Sequence, residues 1–303
     1  MHIRTKTVFT LLTLVAMSSS LAQSELTEIT DESEVLKIAA LEALISAPPE
    51  RALPLVARVL DGNSSDEVKS RALFVLSQID LPEAQARLLE VAKSGDAELS
   101  GEAVRMIGIG GNPETLTALA ELYSAGGEEL RDAVLEAYMI AGDKEAVYQI
   151  AANANDAEEF EAAVEMLGVM GARTELRALS ESSSFPGVLI EAFAISGDFE
   201  SLRELALDSS DVQRQARAIE ALGIIGGDSV NATLIEIYRG TDSDDIREAA
   251  LDGMLISGYD EGVLELYRSS DDVGEKRELL EMLSVMGSDL LLDVIDAALA
   301  GDQ

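Results

Sequence analysis

The chain contains no cysteine, no tryptophan and a single histidine, His2. Without cysteine there is no disulfide, no thiolate nucleophile, no iron–sulfur cluster and no cysteine-based zinc site. Aromatic residues make up only 4% of a chain that is 47% hydrophobic. Sandwiches and barrels favour aromatics in their strands, so a core of Leu, Ala, Ile and Val points to helices instead. Positive charge is scarce too: 22 Lys and Arg stand against 57 Asp and Glu, a formal charge of -35. Such a surface repels phosphate backbones and anionic headgroups, which argues against nucleic-acid binding and favours cationic partners. The same balance also serves solubility, or life in a salty medium.

A largely apolar stretch lies near the N-terminus. Arg4 and Lys6 lead into a largely apolar stretch at 8–17, followed by Ser18-Ser19-Ser20-Leu21-Ala22. This is the pattern of a secretory leader, with Ser20 and Ala22 as the small residues of a cleavage site before Gln23. The run is too short to span a bilayer. The expectation is a signal peptide over 1–22, a single repeat array over 23–303, and a periplasmic or secreted protein exported by a bacterial Sec-type route. No membrane insertion is expected after cleavage.

Cleavage would also remove His2. Ser-His-Asp triads, Cys–His pairs and histidine metal ligands are then unavailable to the mature chain. No Gly-x-x-x-x-Gly-Lys-Ser/Thr motif occurs, so no P-loop is present. Asp242-Ser243-Asp244-Asp245, and Asp61 with Asn63 and Asp66, offer the oxygen ligands that calcium takes. Neither matches an EF-hand loop, and aspartate ahead of a helix is an ordinary cap. The reading is therefore not an enzyme, with no catalytic residue, no metal residue and no cofactor.

What is present is a repeat. Residues 211–226, DVQRQARAIEALGIIG, read as one amphipathic helix. Asp211 caps it, apolar residues recur at helical spacing through Ala216, Ile219, Leu222 and Ile225, and Gly226 closes it. Variants close at Ala47, Asp80, Gly111, Gly142, Gly171, Gly197, Gly226, Gly258 and Gly287, roughly every thirty residues, the mark of a solenoid. Between them lie second amphipathic segments such as 113–124, 143–152, 201–207, 230–239 and 261–268. Tyr123, Tyr238 and Tyr267 end three of these and read as packing residues. Ala137, Ala163, Ala192, Ala221 and Gly253 are small enough to let neighbouring helices approach closely. The expected fold is all-α, an α-solenoid of about nine antiparallel helix pairs, each too small to bury its own apolar face.

Leu222-Gly223-Ile224-Ile225-Gly226, Leu167-Gly168-Val169-Met170-Gly171 and Ile107-Gly108-Ile109-Gly110-Gly111 carry a family resemblance. They resemble the HEAT repeat, in the short form of about thirty residues found in phycobilisome-lyase-like proteins. The resemblance covers nearly the whole mature chain and implies that the second helix of each pair lines a concave face. A basic residue early in that helix is kept at Lys69, Arg131, Arg247 and Lys276, but Phe160 and Pro186 replace it in two central units. The unit closing at Gly197 is the shortest, and its segment 182–187, Ser-Ser-Ser-Phe-Pro-Gly, reads as a local kink or altered stacking angle, or else as a hinge between two half-arrays or a widened groove.

One constellation stands out. Six residues before the closing glycine stand Glu136, Glu165, Glu191, Glu220, Asp252 and Glu281, in six consecutive units. Asp132, Glu161 and Glu248 lie one turn earlier. Like charges at that spacing cost about a few tenths of a kcal/mol per pair. An acid at an exposed helix position is also ordinary surface on so acidic a chain. With the resemblance, these nine residues become a ladder along the concave face. The expected function is a non-catalytic protein-binding scaffold for a cationic protein segment. The alternative is an accessory or chaperone-like subunit of an enzyme or chromophore-attachment system.

Overall fold

The computed structural model describes residues 32–94, 96–182 and 186–300; the expected leader at 1–22 lies outside them. The chain divides into two compact units, the first ending at Ala137 and the second beginning at Tyr138. Among the described residues there are eighteen α-helices and no strand. The first seven are α1 (Glu32–Leu44), α2 (Pro49–Leu60), α3 (Asp66–Ser77), α4 (Pro82–Ser94), α5 (Ala97–Gly110), α6 (Pro113–Ala125) and α7 (Glu128–Ala141). The boundary between the units falls inside α7. Then come α8 (Lys144–Ala152), α9 (Ala157–Val169), α10 (Arg173–Ser182), α11 (Pro186–Ser196), α12 (Phe199–Leu207) and α13 (Val212–Ile225). The last five are α14 (Asp228–Gly240), α15 (Asp244–Ser257), α16 (Asp260–Ser269), α17 (Val273–Val285) and α18 (Leu290–Ala300). Eighteen helices make the nine pairs that the repeat implies.

Each pair starts and stops on local chemistry. Asp211 caps α13 by accepting a hydrogen bond from the Arg214 amide at 3.1 Å. At the end of α7, Gly142 takes φ 73°, a left-handed conformation that only glycine enters without strain. That turn lets the Asp143 amide reach back to the Tyr138 carbonyl at 2.9 Å, satisfying an end-of-helix acceptor. The Asp143 carboxylate at once accepts from the Ala146 amide at 3.0 Å and starts α8. One Gly-Asp pair thus ends a helix and begins the next.

Packing repeats with the sequence. In the first unit α3 lies against α1 and α5, with α2 and α4 alongside. In the second, α9, α11, α13 and α15 form a continuous row, flanked by α8, α10, α12, α14 and α16. These odd-numbered helices are the closing helices of the repeat. Their inner faces supply much of the core, including Leu73, Leu76 and Ile107 in the first unit and Leu167, Phe193, Ile219 and Leu222 in the second. Burying each such side chain contributes about 1.5–3 kcal/mol, as an upper figure.

The first glycine of Gly-x-x-Gly sits where two closing helices touch. A Cβ on Gly108 would lie 2.7 Å from Ala137 Cα, and one on Gly168 would lie 3.2 Å from Ala192 Cα. The small residues singled out at 137, 192 and 253 are the partners in these contacts. The close step from α9 to α11 spans the unit in which 182–187 lies. Residues 183–185 are outside the described residues; beside them α9 and α11 are in direct contact, with Gly168 against Ala192. Between α15 and α17 the same register holds Leu255 and Met282 instead of Gly and Ala. A crevice of about 550 Å³ lies beside Met282, lined also by Leu251 and Val285.

Two of the three tyrosines pack as expected. Tyr123 and Tyr238 are buried, whereas Tyr267 is half-open. The basic residues early in the closing helices latch onto these ends. The Arg131 guanidinium lies 5.6 Å from the Tyr123 ring and donates from Nε to its carbonyl at 3.2 Å. Lys276 Nζ stands 5.5 Å from the Tyr267 ring. They fasten one helix of a pair to the other and form no basic track of their own.

Candidate functional site

A closing helix buries one stripe and leaves the opposite one in water. The acids six residues before each closing glycine lie on that outer stripe or at its edge. In the first unit, Glu136 accepts from Arg105 Nε at 2.9 Å, and Arg105 Nη1 also donates to Glu102 at 2.8 Å. Arg105 occupies the equivalent place in the preceding repeat, so Glu136 is neutralised across the step from α5 to α7. Burial, and then the neighbouring Glu128 carboxylate, raise the Asp132 carboxyl above its ordinary value.

The second unit is different. Glu165 is half-buried, and its carboxyl is pushed up first by burial, then by Glu161 on its own helix and Glu191 on the next closing helix. Glu220 is pushed up by burial and by Asp252 and Glu248 on the following closing helix, with Arg217 pulling the other way. Burial likewise raises the Asp252 carboxyl. These are charge couplings between helices, not only along one. The structure therefore brings Glu161, Glu165 and Glu191 together as one acidic cluster, and Glu220, Glu248 and Asp252 as a second.

Glu281 extends the second cluster. It lines the crevice beside Met282 together with Glu248, Asp252, Arg247 and Tyr238. It makes a loose ion pair, 3.8 Å to Arg277 on the same helix with both side chains largely in water. An adjoining open crevice of about 730 Å³ runs past Tyr238, Arg247, Ser270, Glu275 and Glu278. There the Tyr238 hydroxyl donates to Glu275 Oε1 at 2.9 Å, and burial followed by that carboxylate pushes the phenol well up.

Of the aspartates that offered oxygen ligands for calcium, two are engaged in ion pairs and a third stands first in a helix. Asp61 pairs with Arg87, Asp66 opens α3, and Asp244 accepts from Arg247 Nη1 at 2.8 Å. Among the described residues no three His, Cys, Asp or Glu side chains converge as metal ligands do. No helix among them is long and apolar enough to cross a membrane.

A second row of residues on the closing helices does not follow from the sequence reading above. Two residues before the closing glycine stand Ile109, Ile140, Val169, Ile195, Ile224, Ile256 and Val285. Every one is exposed, by 39% to 70%. Six of them lie four residues beyond the acids, and Ile109 lies four beyond Arg105, so each aliphatic side chain stands one turn further along the same outer stripe. The signal was present in the periodicity. In Gly223-Ile224-Ile225-Gly226, Ile224 falls on the polar side of the wheel, and a branched aliphatic recurs at that place in seven successive repeats.

Compared with known proteins, the chain matches no family model and no curated protein. The chemistry of the site must be read from its own residues. It holds coupled carboxylates and exposed aliphatic side chains in parallel rows, which suits binding a cationic, partly apolar surface.

Proposed function

We propose that the protein is a non-catalytic scaffold that holds a cationic protein segment along the closing helices of its second unit. The observation that supports this most directly is the coupling of Glu165 with Glu191, and of Glu220 with Glu248 and Asp252, across neighbouring closing helices. Like charges held together disfavour each other, and a bound cation relieves that cost. The resemblance of the Gly-x-x-Gly units to short HEAT repeats accords with a binding role, and the leader-like residues 1–22 accord with work in the periplasm or outside the cell.

The test is binding of an oligolysine peptide to two variants at low and high salt. One carries E165Q, E191Q, E220Q and D252N. The control carries E145Q, E200Q, E204Q and E236Q, all exposed acids on α8, α12 and α14, which are not closing helices. The expected result is weaker binding and a flatter salt dependence for the first variant only. Equal losses in both would mean that the peptide reads bulk charge, and the site assignment would be wrong.

A further inference from the structure

The aliphatic row is not explained by folding. Branched residues such as Ile and Val are poorer helix formers than Leu, Ala, Glu or Lys, because the preceding turn restricts their side chains. At positions 39% to 70% exposed they give up that propensity for only partial burial. Single exposed aliphatics are ordinary surface, but seven in one register across consecutive repeats are a pattern. In the second unit, Val169, Ile195, Ile224 and Ile256 sit on α9, α11, α13 and α15, which are in continuous contact. Their acidic neighbours Glu165, Glu191, Glu220 and Asp252 form a parallel row one turn away.

We propose that these two rows together seat an amphipathic helix of a partner protein, with its apolar stripe on the aliphatic row and basic residues along one flank. This rests on the scaffold reading above and specifies the partner. Spacing selects the helix. Packed helices lie about 8–10 Å apart, so the row offers one aliphatic side chain in about that distance. Seven residues of an α-helix rise about 10.5 Å and return to nearly the same face. An extended peptide covers about 10 Å in three residues, but its third side chain points to the opposite face. Charge selects the flank. The carboxylates lie on one side of the aliphatic row, so Lys or Arg belongs on the side of the partner's stripe that faces them. The same carboxylates oppose an anionic lipid surface. Four rungs accommodate a helix of roughly 20 residues.

The experiment uses the full chain and two labelled peptides of identical Leu and Lys composition. One has its leucines in heptad register; the other has them scrambled. Binding is followed by fluorescence anisotropy for the wild type, for the acid-neutralised variant, and for V169Q, I195Q, I224Q and I256Q combined. Glutamine is a better helix former than Val or Ile, so this last variant should melt no lower than the wild type. The expected result is that the register peptide binds the wild type at least about tenfold more tightly than the scrambled one, and that the glutamine variant abolishes this preference. If both peptides bind alike and only the acid-neutralised variant weakens them, the helix proposal falls while the acidic scaffold stands. Binding of neither peptide would remove both. A wild type that sediments as a dimer and a glutamine variant that sediments as a monomer would assign the row to a second copy of this chain and overturn the proposal.

Discussion

Gly223 on α13 lies so close to Gly253 on α15 that a Cβ added to Gly223 would stand 2.5 Å from the Gly253 carbonyl oxygen. No side chain fits in that gap, and the obstacle is backbone, which cannot rotate away. The two glycines bring the neighbouring rungs of the outer surface together, including Glu220 beside Asp252.

G223A should therefore destabilise the protein by about 1–3 kcal/mol, as overpacking does. G168A meets Ala192 at 3.2 Å and gains helix propensity of about 1 kcal/mol, so it should be much milder or neutral. Thermal melts of the two variants decide the matter. Equal stability of G223A and the wild type would mean that α13 and α15 do not touch as described.

Asp198 is only 1% exposed and is gripped by the Arg177 guanidinium, with Nε donating to Oδ2 at 2.7 Å. Burial pushes its carboxyl up, but the hydrogen bonds from Arg177 and Ser201 outweigh this and hold it below the ordinary value. A carboxyl held low in the folded state adds stability above its unfolded pKa and loses it as pH falls through the folded pKa. Because Arg177 is half in water, we expect R177Q to cost about 1–2 kcal/mol at neutral pH, with the difference from wild type shrinking in acid. Denaturant titrations across the acidic range would expose a constant difference, which this account does not allow.

The acidic clusters push the other way. Glu165, Glu220 and Asp252 are raised in the folded state, so they stabilise below their unfolded pKa values and lose that contribution as pH rises through the folded ones. At neutral pH, E220Q should be more stable than the wild type by about a few tenths of a kcal/mol, allowing for its exposure to solvent. Added salt should narrow that gap by screening the wild type. A melting difference that is indifferent to salt would show that Glu220 does not feel Asp252 and Glu248.

Tyr238 joins α14 to α17 through Glu275, which also accepts from the Ser270 hydroxyl. Y238F leaves Glu275 with one donor fewer and should cost about 0.5–1.5 kcal/mol. In alkaline titration followed by absorbance, the phenol lost in Y238F should be one that ionises late, since burial and Glu275 both oppose the phenolate. Loss of an early-titrating phenol would contradict the buried, bonded position.

The helices were legible because their signals are local. Asp211 caps, Gly142 closes, and apolar residues recur at helical spacing, so each helix is specified within its own thirty residues. The acids at 165, 191, 220 and 252 were legible for the same reason, through their constant distance from the closing glycine. The row from Val169 to Ile256 was equally periodic in the sequence, but an isoleucine reads as core until the packing shows which side of the helix meets a neighbour.

The one-dimensional pattern by itself determined that this chain is helical, repetitive, acidic and without cysteine, because each of those properties belongs to single residues or to residues a turn apart. Only the tertiary structure decided which acids remain free. Glu136 is neutralised by Arg105 from the preceding repeat, whereas Glu220 faces Asp252 and Glu248 from the following one. Both sit at the same register, and the difference lies in the charge that the adjacent closing helix places opposite them.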